Sequence, residues 1–501
     1  MLRLLFLNTA VSGVVFAVSS VLVLWLVPRL VAAYGLSGFG LIMLARTLLP
    51  TGFAALFDFG VSEVVTQAVA RARASGNWHS AGAQVALLTL ASTAIGAVLS
   101  LALWLLAPAA VDLFRIDAAN AASFEVLMRA SALALLLLFP ALISEGIVKG
   151  FEAYWALRIA ELLPTIGYVV AALVLVARGA GYHVIAYAFL VSILVRAIAT
   201  AAIAWTLGRE AGLRPRRWSP AERADAFARC RVMFAGKAVS AVQTQGPPLV
   251  IGMLVGPAGV GAYDVLVRLP RFAKSVLGLL MSLLMPIGAR LEETGDARNQ
   301  RRLASAGTVF VPIVVLPLLA GGAAFSAPIL ALWLGPAFRD YWPWHAAMFL
   351  VPALGVVVSF GSTVLMSRTD AARQLVRLAG IMVLVQYVLS IALSAWLGER
   401  AFILGQVVSA LLLFPLQIRF MLIEQGVGSR LGRRLALLLA GLSALAALTS
   451  VWSARAVQDV PSLIGWGGAW VLLCWVALGL LMLSPAEREA VLRRVKGLSL
   501  R

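Results

Sequence analysis

The chain has 501 residues, 62% of them hydrophobic and only 13% charged, with mean hydropathy +0.96. No soluble fold of that length buries so much apolar surface, so lipid must be the solvent for much of it. The formal charge of +19 does not point to nucleic acid, because the basic residues sit in short clusters between apolar runs, the pattern of topology signals and anionic-lipid contacts.

A helix needs roughly 20 apolar residues to cross the hydrocarbon core, and walking the chain by that criterion predicts about 14 spans in an all-α polytopic membrane protein. The first six run near Val11–Ala33, Phe39–Val69, Ala83–Leu106, Leu127–Val148, Ala156–Val176 and His183–Leu207. The opening run, Leu4 to Ala33, is too long for the apolar region of a signal peptide, about 7–15 residues, and reads as the first span. A basic segment, Arg209 to Arg231, separates these from six more near Val232–Val255, Ala262–Ala289, Leu303–Leu330, Ala346–Met366, Leu378–Leu397 and Ala401–Ile423. Two further spans follow near Leu435–Val451 and Leu463–Leu483. Cys230 and Cys474, far apart and in or beside apolar stretches, suggest neither a disulfide framework nor a thiolate metal site.

Arginine asymmetry orients the stack. Arg71, Arg73, Lys149, Arg158, the Arg209–Arg231 cluster, Arg298, Arg301, Arg302, Arg373, Arg377, Arg433, Arg434 and Arg493 all fall on one side, whereas the alternate loops hold little beyond Arg115, Arg178, Arg339, Arg400 and Arg455. Both termini are therefore expected in the cytoplasm, which requires an even number of spans. Two cytoplasmic segments, Ser219-Pro220-Ala221-Glu222 and Ser484-Pro485-Ala486-Glu487, each place a capping Ser, a Pro in the first helical position and a Glu three residues after the cap. They predict short basic helices lying on the cytoplasmic membrane face.

Landmarks of the first half return about 220 residues later at the same places in the span order. Ala74-Ser75-Gly76-Asn77 is answered by Glu293-Thr294-Gly295-Asp296, Ala107-Pro108 by Ala327-Pro328, and Gly150-Phe151-Glu152-Ala153 by Arg368-Thr369-Asp370-Ala371. Six spans per unit is an even number, so the copies are expected to be parallel repeats related by an axis along the membrane normal. The expected domains are thus a first six-helix lobe (1–208), a basic cytoplasmic linker (209–231), a second six-helix lobe (232–424), and an extra helix pair with a cytoplasmic tail (425–501).

Tyr34-Gly35-Leu36-Ser37-Gly38-Phe39-Gly40 running into Phe57-Asp58-Phe59-Gly60-Val61, Gly259-Val260-Gly261-Ala262-Tyr263-Asp264 running into Pro286-Ile287-Gly288-Ala289-Arg290-Leu291, and Leu332-Trp333-Leu334-Gly335 carry a family resemblance. The chain through its twelfth span resembles the polysaccharide flippase (Wzx-like) branch of the multidrug/oligosaccharidyl-lipid/polysaccharide exporter superfamily. A count of 14 spans also fits the lipid II flippase (MurJ-like) branch. The resemblance implies a V-shaped pair of six-helix lobes, a cationic cavity, and alternating access for an undecaprenyl-diphosphate-linked sugar in the bacterial inner membrane. Anionic lipid, a polysaccharide polymerase and chain-length proteins are the further partners it implies; no cofactor and no nucleic acid are expected.

Charges within spans need a reason, since each costs about 2.5–3.5 kcal/mol at the bilayer centre on insertion scales. Arg46 in the second span and Arg268 in the eighth lie at similar depths in paired helices, Arg271 and Lys274 continue a basic stripe from Arg268, and Lys237 lies in the seventh span. Guanidinium and ammonium groups meet phosphate oxygens with charge-assisted hydrogen bonds, so these five are the candidate substrate-binding residues; snorkelling or ion pairing is the plain alternative. Arg129 and Arg196 read more readily as structural. Asp58 and Asp264 are the candidate ion-coupling residues, because a carboxylate in a wet cavity can hold a proton or sodium ion. Asp58 pairing with a cavity arginine, and Asp264 with Arg268 one turn on, are the structural alternatives.

Prolines punctuate the spans, and kinks at Pro50 and Pro270 would lie near the cationic groups. A membrane glycosyltransferase or polymerase would need carboxylate pairs or a sizeable extramembrane domain. The chain has no Walker A sequence, no His–Glu metal motif, and no plausible triad among His79, His183 and His345, so an enzyme is not expected. A cation-coupled multidrug exporter of the same superfamily is the rival reading. It should present carboxylates and aromatics rather than the arginine and lysine of the second, seventh and eighth spans.

Overall fold

A computed structural model describes residues 2–49, 52–282, 297–365, 369–425 and 429–482. All regular structure among them is helical. In chain order the helices are α1 (Leu2–Thr47), a 3-10 turn (Phe53–Asp58), α2 (Val61–Ser75), α3 (Trp78–Leu113), α4 (Ala118–Gly150), α5 (Tyr154–Ala177), α6 (Tyr182–Ala211), α7 (Pro220–Leu254) and α8 (Pro257–Ser282). There follow α9 (Ala297–Ala324), α10 (Ser326–Leu334), a second 3-10 turn (Pro336–Tyr341), α11 (Trp342–Leu365), α12 (Thr369–Leu397), α13 (Arg400–Gln425), α14 (Ser429–Ala456) and α15 (Val460–Met482).

Eleven of these helical segments, among the described residues, are long and apolar enough to cross a membrane, the first joining the expected first span to the start of the second. The remainder of the second span and the expected seventh and eighth fall short of that standard. The reason is visible in their residues: α2 carries Glu63, Arg71 and Arg73, α7 carries Lys237 with Gln243, Gln245 and two prolines, and α8 carries Asp264, Arg268, Arg271 and Lys274. Elsewhere the usual soluble pattern is inverted. Trp205, Trp396, Leu437 and Leu448 are exposed, and only 11% of the apolar window of α15 is buried, so its surface is suited to hydrocarbon rather than water.

Packing divides the chain into residues 1–264 and 265–501. In the first unit α2, α3, α4, α5 and the start of α7 share a core of Val61, Val65, Leu88, Ile147, Leu157 and Cys230. Small and hydroxyl side chains let the helices approach: Ser92 Oγ donates to Phe139 O at 2.7 Å, joining α3 to α4, and Thr66 Oγ1 donates to Gly146 O at 3.1 Å, joining α2 to α4. The second unit is built around Leu316, Phe349, Val357, Phe414, Leu439 and Leu478, from α9, α11, α13, α14 and α15. Cys230 and Cys474 are both free and buried.

Three local outcomes differ from the sequence reading. The second span is not one helix: its first part continues α1, and the chain then breaks before α2. Even α1 is two helices merged across Gly35, whose φ of 64° and ψ of −177° only glycine adopts readily. The Ser219 capping box forms as expected, with Glu222 N–H donating to Ser219 Oγ at 3.2 Å and Ser219 N–H donating to Glu222 Oε2 at 2.7 Å. It does not start a short surface helix, however: α7 runs on past Gly236 and through Pro247 and Pro248 to Leu254. Finally, α3 passes through Pro108 without a break, while the matching segment of the second half breaks at Phe325 into α9 and α10. Pro50, Pro286-Ile287-Gly288-Ala289-Arg290-Leu291, Glu293-Thr294-Gly295-Asp296, Arg368 and the second capping sequence from Ser484 lie outside the described residues.

The two glycine-rich segments of the repeat expected from the sequence meet within the first unit. A Cβ added to Gly40 of α1 would overlap the Pro257 carbonyl oxygen, and one added to Gly261 of α8 would overlap the Leu36 carbonyl oxygen. Gly40 and Gly261 are 221 residues apart, and so are Leu36 and Pro257, so the two contacts are related by exchange of the segments. Backbone meets backbone here, as glycine alone allows.

Candidate functional site

The break in the second span gathers a cluster of charges in the first unit. After the 3-10 turn, Phe59 (φ 50°) and Gly60 (φ 78°) take left-handed conformations that redirect the chain into α2. Asp58 ends the turn, 5% exposed, and its Oδ1 accepts from the Ser62 backbone N–H at 3.3 Å, which ties the carboxylate to the first turn of α2. Its other oxygen, Oδ2, pairs with Lys237 Nζ of α7. The same ammonium pairs with Glu63 Oε2, two residues into α2.

Helical spacing on α7 delivers that lysine. Cys230, Met233, Phe234 and Lys237 recur every three or four residues and so share one face. Cys230 is buried in the core with α2, Met233 fills the space left by the missing Cβ of Gly60, and the Phe234 ring lies 5.0 Å from that of Phe59. Lys237 Nζ then comes between the two carboxylates. Two acids share one base, so the fully ionised cluster carries a net charge of −1. Asp58 is enclosed, whereas the Lys237 and Glu63 side chains are 32% and 39% exposed, leaving one flank of the ammonium open.

Arg46 lies partly buried in the last turn of α1, its guanidinium 4.2 Å from the centre of the Phe189 ring of α6. In the second unit, Arg268 and Arg271 are partly buried on α8 and Lys274 is exposed. Asp264, the last residue of the first unit, is partly buried beside the enclosed Tyr263. The structure therefore brings Lys237 and Asp58 together, two residues the sequence reading had placed in different roles.

A second charged group was only partly visible in the sequence. Glu145 and Lys149 of α4, Arg158 and Glu161 of α5, and Arg196 of α6 form a chain of ion pairs: Lys149–Glu145 at 2.8 Å, Arg196–Glu145 at 3.8 Å, Arg196–Glu161 at 3.2 Å and Arg158–Glu161 at 2.6 Å. The one-turn spacings of Glu145 to Lys149 and of Arg158 to Glu161 were the available signal; Arg196 joins them only through packing. Arg129 pairs with Glu125 at 2.5 Å. These are the structural arrangements foreseen for span arginines.

No group of His, Cys, Asp and Glu suited to a metal ion occurs among the described residues. In the second unit, α9, α11 and α14 line an open apolar pocket that includes Leu316, Trp342, Phe349, Leu439 and Ser450. Its lining holds no charge and suits hydrocarbon rather than phosphate.

Comparison with known proteins places this architecture. The fold is similar to that of the lipid II flippase MurJ in an inward closed conformation, at TM-score 0.64 and 12% identity, covering 93% of this chain and 98% of that one. It is equally similar to a multidrug resistance MATE family transporter of the MOP superfamily in an inward-facing conformation (TM-score 0.64, 12% identity, 84% and 99% covered). A MATE protein in a bent conformation matches at TM-score 0.53 and 15% identity, with 86% and 94% covered. No curated protein sequence matches. At these identities the likeness concerns the fold, a multi-pass helical membrane architecture. Residues 26–343 match the sequence profile of the family described as polysaccharide biosynthesis protein, well over half of the chain. This chain is a multi-pass membrane protein of the polysaccharide biosynthesis protein family.

Proposed function

We propose that this protein is a flippase that carries undecaprenyl-diphosphate-linked oligosaccharide, a unit of O-antigen, capsule or exopolysaccharide, from the cytoplasmic to the periplasmic leaflet by alternating access. The observation that carries the reading is family membership combined with the kind of charge placed in the spans. The spans hold Arg46, Lys237, Arg268, Arg271 and Lys274, groups that offer a diphosphate its hydrogen bonds once it leaves water. The uncharged pocket of the second unit fits a lipid-bearing substrate.

The same reading places the protein in the bacterial inner membrane with 14 spans and both termini in the cytoplasm, as two parallel six-helix lobes (1–208 and 232–424), a linker (209–231) and a terminal helix pair with its tail (425–501). The exchange-related contacts of Gly40 and Gly261 support duplicated lobes. The substrate's own pathway supplies the further partners, a polysaccharide polymerase and chain-length proteins. It needs no cofactor and makes or breaks no covalent bond. A lipid II flippase is the second reading, favoured by the fold likeness that covers 93% of this chain.

The test is reconstitution into liposomes with labelled undecaprenyl-diphosphate sugar in parallel with a cationic dye and with lipid II. Movement of the sugar lipid is expected, reduced at least tenfold in Arg46→Ala and Arg268→Ala, since each removes a charge-assisted hydrogen bond to phosphate. Movement of dye alone would overturn the reading in favour of a drug exporter. Variants that insert normally and flip at the full rate would remove both arginines from the substrate site.

A further inference from the structure

A phosphate that reaches Lys237 must compete with two carboxylates of the chain itself, whose net negative charge with the ammonium repels it. This conflict joins two roles that the sequence had kept apart, and it has an electrostatic consequence. In the arrangement described, Asp58 and Glu63 together balance Lys237 with one negative charge to spare. Cys230, buried on α7 next to the cluster, is the other titratable group that faces it. If the ammonium turns to a ligand, two carboxylates remain that were close enough to share one Nζ. Like charges at that separation, one of them 5% exposed, do not both stay ionised without a compensating cation.

We propose that Asp58, Glu63 and Lys237 form a charge-exchange switch, in which an anionic diphosphate head group draws Lys237 off its carboxylates and the vacated pair takes up one monovalent cation. This rests on the flippase reading and adds the coupling step to it. The charges balance: the cluster stands at −1 with the ammonium in place, falls to −2 when it leaves, and returns to −1 when one cation enters. If that cation is a proton, it comes from the adjoining water and ends on a carboxylate oxygen, converting one carboxylate to a carboxylic acid. If it is sodium, the two carboxylates supply oxygen ligands of the kind hard cations take.

The geometry suits exchange rather than permanent pairing. Lys237 is 32% exposed and reaches its partners on a long flexible side chain, so its head can swing outward without moving α7. Asp58 is held by the Ser62 backbone N–H and by the left-handed turn at Phe59 and Gly60, so it stays in place when the ammonium leaves. The carboxylates also sit where the span is broken rather than in a continuous helix, the kind of membrane segment that lines ligand and ion sites in transporters.

The test is calorimetric titration of the purified full chain in detergent micelles with undecaprenyl diphosphate. It is run in buffers of different ionisation enthalpy to count protons, and with sodium against a large organic cation. Uptake of about one proton per head group bound, or a binding constant that rises about tenfold per decade of sodium, is expected from single-cation linkage. Lys237→Gln and Asp58→Asn should abolish the linkage, and Lys237→Arg should keep it. Wild-type binding without any cation linkage overturns the exchange and leaves the flippase reading intact. Linkage that persists in Lys237→Gln overturns the exchange as well, because the cation then enters elsewhere. Failure of the wild type to bind undecaprenyl diphosphate removes the substrate reading and the exchange with it. Because the wild type alone decides the first outcome, the test does not depend on any variant folding.

Discussion

Removing the ammonium of Lys237 should cost more stability than removing either carboxylate, and the size follows from burial. Unit charges about 4 Å apart interact by roughly 4 kcal/mol at an effective dielectric near 20. Truncating one partner of a fully buried pair costs about 3–5 kcal/mol, whereas an exposed pair is worth about 0–1 kcal/mol. Here Asp58 is 5% exposed and Lys237 32%, so their coupling falls between these limits, at about 2 kcal/mol; Glu63, 39% exposed, should couple by less than about 1 kcal/mol. Lys237→Met leaves a charged Asp58 enclosed without its partner, and a second change, Asp58→Asn, should recover most of the loss. The measurement is a double-mutant cycle by reversible unfolding in mixed micelles, followed by tryptophan fluorescence. A coupling below about 0.5 kcal/mol, the level at which independent sites add, would refute the argument. So would a stronger coupling to Glu63 than to Asp58, since burial would then not be what sets the interaction.

Gly40→Ala and Gly261→Ala should each lower folded yield severely, by more than about 3 kcal/mol, because the new methyl meets a backbone carbonyl that no rotamer change can move aside. Gly167→Ala, with nothing within 4 Å of the added carbon, is the control expected to behave as wild type in a detergent thermal-shift assay. Ser219→Ala should destabilise the start of α7 by about 1 kcal/mol, seen as faster amide exchange over its first two turns. The Glu222 carboxyl is held below the ordinary glutamate value, first by the Ser219 backbone N–H and also by Arg216. A carboxylate favoured in the folded state stabilises fully above the ordinary glutamate range and loses that contribution as pH falls through its lowered value. Protection from exchange at the start of α7, measured against the intrinsic rate at each pH, should therefore fall only in acid, and Glu222→Gln should remove that fall.

The amino-acid sequence by itself determined the fold class and the helix start whose signals lie within one turn or one span. Hydropathy runs specify a helical membrane protein because an apolar stretch must satisfy its own backbone hydrogen bonds in lipid. Ser219, Pro220 and Glu222 specify a capped helix start because all three act within one turn. The break between α1 and α2 was partly legible in Gly52 and Gly60, but Phe53, Leu56, Phe57 and Phe59 between them keep the hydropathy of a continuous span. Tertiary structure alone decided which polar groups meet across helices. Lys237 reaches Asp58 across 179 residues, and Arg196 bridges Glu145 and Glu161 from a third helix. Nothing local encodes such pairings, because helices made of the same alanine and leucine offer many interchangeable faces; only the fit of small residues where backbones touch, as at Gly40 and Gly261, selects one neighbour over another.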